Sequence, residues 1–97
     1  MGNSLIPDLS FPRRIHVLGI GGAGMSAIAE VLVSMGHFVT GSDLKESANL
    51  ERLRALGIVV NVGHDPKNIG DVEIITRSTA VPDSNVECQE ALERRIS

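Results

Sequence analysis

A chain of 97 residues has room for one small domain and not for two separate cores. Its net charge of −3 and its two aromatic residues, Phe11 and Phe38, argue against a basic, base-stacking surface for nucleic acid. A single cysteine, Cys88, leaves no internal disulfide. The chain also lacks an apolar run of about 18 residues and a signal-peptide start, so the expected setting is the cytoplasm, without a membrane.

In chain order, residues 1–12 mix Gly2, Asn3, Ser4, Pro7, Ser10 and Pro12 without any period, and a poorly ordered tail is expected there. Residues 13–97 read as the folded unit. Arg14-Ile15-His16-Val17-Leu18 is a short buried strand, followed by the turn Gly19-Ile20-Gly21-Gly22-Ala23-Gly24-Met25-Ser26 and then a helix. Glycines 19, 21 and 24 have the G-x-G-x-x-G spacing, whose three roles are a tight turn, close approach of backbone to phosphate, and close helix–strand packing. Met25, Ile28, Ala29, Leu32, Met35 and Gly36 fall at helical spacing and predict an apolar stripe facing a sheet, with Gly36 as the stop. A second strand over His37–Gly41 runs into Ser42-Asp43.

A second helix is expected over Ala48–Leu56, capped by Ser47, with Leu50, Leu53 and Leu56 inward and Gly57 as its stop. Ile58–Val62 is the third strand, followed by Gly63-His64. Asp65-Pro66 opens one helical turn through Ile69. Asp71–Thr76 is the fourth strand. Ser84-Asn85-Val86-Glu87 has the S-x-x-E pattern of a capping box, opening a helix to about Arg94 with Cys88, Ala91 and Leu92 inward. Strands of about five residues alternating with helices predict an α/β fold. We expect a Rossmann-like parallel sheet of four strands, truncated from five, with helices on both faces.

In such a sheet the residues after each strand share the carboxyl edge, where ligands bind. Helix-start N–H groups in the glycine turn suit a phosphate. Asp43 lies 19 residues beyond Gly24, where a dinucleotide fold places a ribose-binding acid; it could merely cap the next segment, but that spacing favours ribose or base contact. His64 reads as a turn residue or a ligand contact. Ser78 and Thr79 read as ligand contacts or as local side chain–backbone bonds. His16 reads as a hydrogen-bonded core residue, Cys88 as packing, and Glu90–Arg94 as a solvated ion pair. No catalytic constellation, no metal-ligand cluster and no phosphate-loop lysine can be assembled, the first lysine being Lys45. Two ligand-free or different-ligand alternatives stay open. One is a nicotinamide-dinucleotide domain in which Asp43 selects NAD over NADP; the other is a structural module that pairs through a sheet edge.

From Ile15 to Ser26, and again at Gly41-Ser42-Asp43, Gly63-His64 and Ser78-Thr79-Ala80-Val81 with Asn85 and Glu87, the chain resembles the amino-terminal domain of the Mur ligase family. Ala27 stands where that family usually has glycine, and Arg77-Ser78-Thr79 where it usually has a serine pair. The resemblance is to members that join L-alanine to UDP-N-acetylmuramate in peptidoglycan synthesis. It implies that this domain holds the UDP group, with Ile20–Ser26 on the diphosphate, Asp43 by the uridine, and His64 and Ser78–Ala80 along the remaining edge. ATP and Mg²⁺ would be bound by a central domain and L-alanine by a third. On that reading these residues are an inactive fragment without cofactors of its own.

Overall fold

The computed structural model describes residues 8–96. The first seven residues of the expected tail lie outside them. Beyond these, Asp8 accepts from the Ser10 N–H and hydroxyl, the Arg13 side chain donates to the Asp8 carbonyl, and Leu9 packs against the core.

The elements are β1 (Arg14–Leu18), α1 (Ala23–Ser34), β2 (Phe38–Asp43), α2 (Ala48–Ala55), β3 (Val59–Val62), a 3-10 turn (Pro66–Ile69), β4 (Ile74–Arg77) and α3 (Val86–Glu93). The four strands form one parallel sheet in the order β3-β2-β1-β4, so the expected fold class holds. Its central strand, β1, sets Ile15 against both Val39 and Ile74. The chain winds from β1 through β2 to β3, then crosses back to the other side of β1. That reversal makes the gap between the carboxyl ends of β1 and β4 the switch point of the sheet, where a ligand crevice opens in such folds.

The two faces of the sheet differ in chemistry. Ile15, Val17, Val39, Val60 and Ile74 point to the face covered by α1 and α2, where Ala29, Leu32, Leu50 and Leu53 complete the main apolar core. Full burial of each such side chain contributes about 1.5–3 kcal/mol, so this face carries most of the stability. The opposite face is smaller and partly polar. It holds Ile69, Val72 and Ala91 together with buried His16 and Glu87.

Several local expectations are corrected. In α1, Ile28 and Met35 are exposed, and the inward positions are Ser26, Ala29 and Leu32 with Met25 and Val33 beside them. Small residues at 26 and 29 let the helix lie close to the sheet, which rotates Ile28 outward. Leu56 is half-exposed because α2 ends at Ala55. Leu92 is 71% exposed, the inward face of α3 being Glu87 and Ala91, four residues apart. β4 starts at Ile74 because residues 70–72 are still closing the 3-10 turn, with Val72 N–H donating to Ile69 O. The capping box is not formed: Asn85 is the N-cap, its Oδ1 accepting from the N–H groups of Glu87 (2.8 Å) and Cys88 (3.4 Å). Ser47 and Asp65 cap as expected, through Leu50 N–H and Lys67 N–H. Glu90–Arg94 forms its i,i+4 pair at 2.9 Å.

Candidate functional site

The glycine turn is built by hydrogen bonds that spend most of its own donors. Gly19 N–H and Ile20 N–H both donate to Ser42 O (2.9 and 3.1 Å), and Gly22 N–H to Gly19 O (3.1 Å). Gly21 N–H donates to the Asp43 carboxylate at 2.7 Å, and Ser26 N–H to Gly22 O at 2.8 Å. The N–H groups of Ala23, Gly24 and Met25 have no acceptor among the described residues, and α1 has no side-chain N-cap. Three open donors at the positive end of a 12-residue helix are the chemistry of a candidate anion site.

Of the three expected glycine roles, the tight turn is seen at Gly19. Gly19 has φ +72°, and a side chain there would stand 3.2 Å from Ser78 Cβ. A Cβ on Gly21 would stand 2.8 Å from Asp43 Oδ2 and 3.1 Å from Leu50 Cδ2, so the Asp43 bond requires glycine at 21. Gly24 departs from the expected packing role: a Cβ there meets nothing within 4 Å. The glycine whose packing matters is Gly41, facing the Ile20 side chain across the sheet end, with 2.9 Å from its would-be Cβ to Ile20 Cβ.

The four strand ends meet at a cleft of about 520 Å³. Of the residues singled out from the sequence, Gly19, Gly21, Gly22, Asp43, His64, Ser78 and Ala80 line it, joined by Lys45 and Glu46 from the loop before α2. The others are placed elsewhere. Ile20 is fully buried in the core, and Ser26 is buried with its hydroxyl donating to Ala23 O. Met25 packs against the core, and Ala23 and Gly24 are exposed beside the turn. Thr79 is exposed in the loop after β4 and does not line the cleft. Ser78 Oγ makes the local bond to Ala80 N–H at 3.1 Å. Both Asp43 oxygens are engaged, by Gly21 N–H and Leu44 N–H. Glu46 accepts from Arg54 at 2.8 and 3.0 Å, and this bond holds its carboxyl below the usual range. A second hollow, of about 420 Å³, lies between β4 and α3, away from the glycine turn.

Behind the cleft sits Glu87, whose side chain takes no part in the cap. It is fully buried and accepts from His16 Nε2 (2.7 Å), the Ser42 hydroxyl (2.7 Å), Asn68 Nδ2 (2.7 Å) and Asp65 N–H (3.0 Å). His64 Nδ1 lies 3.3 Å from its second oxygen and 3.0 Å from Ser42 Oγ. Burial alone pushes this carboxyl up, but the hydrogen bonds from His16, Ser42, Asn68 and Asp65 outweigh it and bring it down to about 2. The cluster ties β1, β2, the 3-10 turn and α3 together, and of its members His64 lines the cleft. His16 is the core histidine expected, its Nδ1 bonded to Thr40 Oγ1 at 2.7 Å. Glu87, Ser42, Asn68 and Lys45 were not singled out as site residues. The available signal was Glu87 itself: an acid four residues before the inward Ala91 must meet polar partners inside.

A parallel sheet with its switch point at a glycine turn, open helix-start donors and polar strand ends defines a Rossmann-like domain with a candidate anion site on its carboxyl edge. Comparison with known proteins carries this further. The sequence model described as "Mur ligase family, catalytic domain" matches residues 14–97, and the chain belongs to that family. It is 53% identical over 83 residues to the UDP-N-acetylmuramate–L-alanine ligase of Rubrobacter xylanophilus, covering 86% of this chain and 19% of the relative. To the enzyme of that name from Allorhizobium ampelinum it is 58% identical over 82 residues, covering 84% of this chain and 17% of the relative. The crystal structure of UDP-N-acetylmuramate–alanine ligase from Thermotoga maritima superposes with a TM-score of 0.84 at 39% identity, over 87% of this chain and 20% of that one. The chain thus spans about a fifth of the length of these relatives.

Proposed function

We propose that this chain is the substrate-holding part of a UDP-N-acetylmuramate–L-alanine ligase, receiving the UDP group in the cleft at the carboxyl edge. The observation that carries the reading is the set of open N–H groups at Ala23, Gly24 and Met25, at the switch point of the sheet. Such donors suit a diphosphate, and the relatives' names supply the substrate class. Asp43 braces the turn through Gly21 and borders the cleft, where the uridine end would lie; His64, Ser78 and Ala80 line the rest. With both Asp43 oxygens already held by backbone, the NAD-selecting role is the less supported one.

In the longer enzyme, ATP and Mg²⁺ would activate the substrate carboxylate for L-alanine, in peptidoglycan synthesis in the cytoplasm. The residues of this chain do not fit ATP and Mg²⁺. The glycine turn carries no lysine, and the described residues hold no group of three or more His, Cys, Asp or Glu able to bind a metal. Their handling is assigned to the regions of the relatives beyond the part matched here. No helix among the described residues is long and apolar enough to cross a membrane.

A protein-observed NMR titration with UDP-N-acetylmuramate, NAD and NADP tests the reading. Amide shifts at Ala23–Met25, Asp43 and Ser78–Ala80 with the UDP compound alone are the expected result. Shifts there with NAD instead would overturn it.

A further inference from the structure

Proton bookkeeping in the buried cluster assigns a role to His64. Glu87, ionised, can only accept, so His16 Nε2 and the Ser42 hydroxyl both donate to it. Ser42 has then spent its one proton, and its oxygen meets His64 Nδ1 at 3.0 Å as an acceptor. His64 Nδ1 therefore carries a proton, which also faces Glu87 Oε2 at 3.3 Å. The network thus assigns the tautomer. The ring nitrogen left over, Nε2, has no partner among the described residues, and His64 is a wall of the cleft.

We propose that Glu87 and Ser42 are positioning residues that hold His64 by Nδ1–H, so that its Nε2 takes up a proton when a diphosphate ligand binds and donates to a phosphate oxygen. This rests on the UDP-substrate reading above. The charges around the ring explain why a proton would follow the ligand. From α3 it faces Glu87, whose other oxygen is held by His16 of β1; His16 Nδ1 is taken by Thr40, and from β2 Asp43 lines the same cleft. From the 3-10 turn it adjoins Asp65, whose carboxylate caps Lys67 N–H. The loop before α2 adds Lys45 and Glu46, the latter paired with Arg54. Within the cleft lining, Lys45 is the one fixed cation to set against Asp43 and the incoming phosphates. An anion beside an imidazole favours its charged form, and an imidazolium held from behind by a carboxylate is a charge-assisted donor that needs no reorganisation. Nδ1–H stays committed to Ser42 and Glu87 in either state, so only Nε2 changes.

Calorimetric titration of the chain with UDP-N-acetylmuramate from about pH 8 to about pH 6 tests this, because imidazole changes charge near neutrality whereas a diphosphate diester does not. Two buffers of different ionisation enthalpy count the protons. The expected result is net proton uptake, with affinity rising on acidification by up to about tenfold per pH unit for one linked proton. His64→Gln should abolish the slope, and Glu87→Gln should reduce it and lower the affinity at about pH 6 by about tenfold. Ser42→Ala, which removes one anchor and leaves the carboxylate, should lower the slope in the same direction and serves if Glu87→Gln does not fold. Affinity that is flat or falls on acidification in the wild type, or a slope that survives His64→Gln, would overturn the inference and leave the substrate reading intact. Absence of wild-type binding at every pH would overturn the substrate reading and this one with it.

Discussion

Replacing Glu87 by glutamine keeps the shape of the side chain and removes its charge. The structure fixes what that should cost. The carboxyl is lowered from its ordinary 4.5 to about 2 by the donors that converge on it. A depressed carboxyl contributes stability that is fully present above the unfolded value and is lost as pH falls toward the folded one. At 1.36 kcal/mol per pH unit, the ionised group contributes about 3 kcal/mol at neutral pH, falling to about 1.5 kcal/mol by about pH 3. Glutamine cannot ionise, and its single carbonyl oxygen cannot serve His16, Ser42, Asn68 and Asp65 together. Urea unfolding followed by circular dichroism should therefore show Glu87→Gln less stable than wild type by about 3 kcal/mol at neutral pH, a large share of the ~5–15 kcal/mol of a domain this size. The gap should narrow below about pH 4.5, because the wild type then loses the same contribution. A gap of under about 1 kcal/mol at neutral pH, or one that stays constant down to about pH 3, would refute the claim that Glu87 is a buried, hydrogen-bonded carboxylate.

Other consequences can be checked with the same methods. Asn85→Ala should cost about 1 kcal/mol while Ser84→Ala stays within about 0.5, since Asn85 is the cap of α3; the reverse order would restore the capping box. Gly41→Ala should destabilise by about 1–3 kcal/mol through its clash with Ile20, and Ile20→Val should recover part of this in a double-mutant cycle; additive effects would mean the two do not touch. Gly24→Ala, whose methyl meets nothing within 4 Å, should leave the urea midpoint unchanged or raise it while weakening UDP-N-acetylmuramate binding. Unaltered binding would remove Gly24 from the phosphate site.

Most of the architecture was legible from local pattern. Apolar runs of strand length, helical periodicities, the caps at Ser47 and Asp65 and the stops at Gly36 and Gly57 depend on neighbours in sequence, so β1 was placed to the residue and α1 and α2 end within two residues of their stops. The glycine spacing located the turn, and alternation of strands and helices implied the parallel sheet whose carboxyl edge gathers Asp43, His64 and Ser78. Tertiary structure decided the rest, because it turns on which groups meet across the fold. Small residues at Ser26 and Ala29 set the rotation of α1 that exposes Ile28. Asp43 reaches back 22 residues to take the Gly21 N–H, and Ser42 O takes those of Gly19 and Ile20, which leaves only Ala23, Gly24 and Met25 open for an anion. Glu87 had the spacing of a local capping box, but two strands and a turn offered it four strong donors at once, and a buried carboxylate goes where its charge is best satisfied.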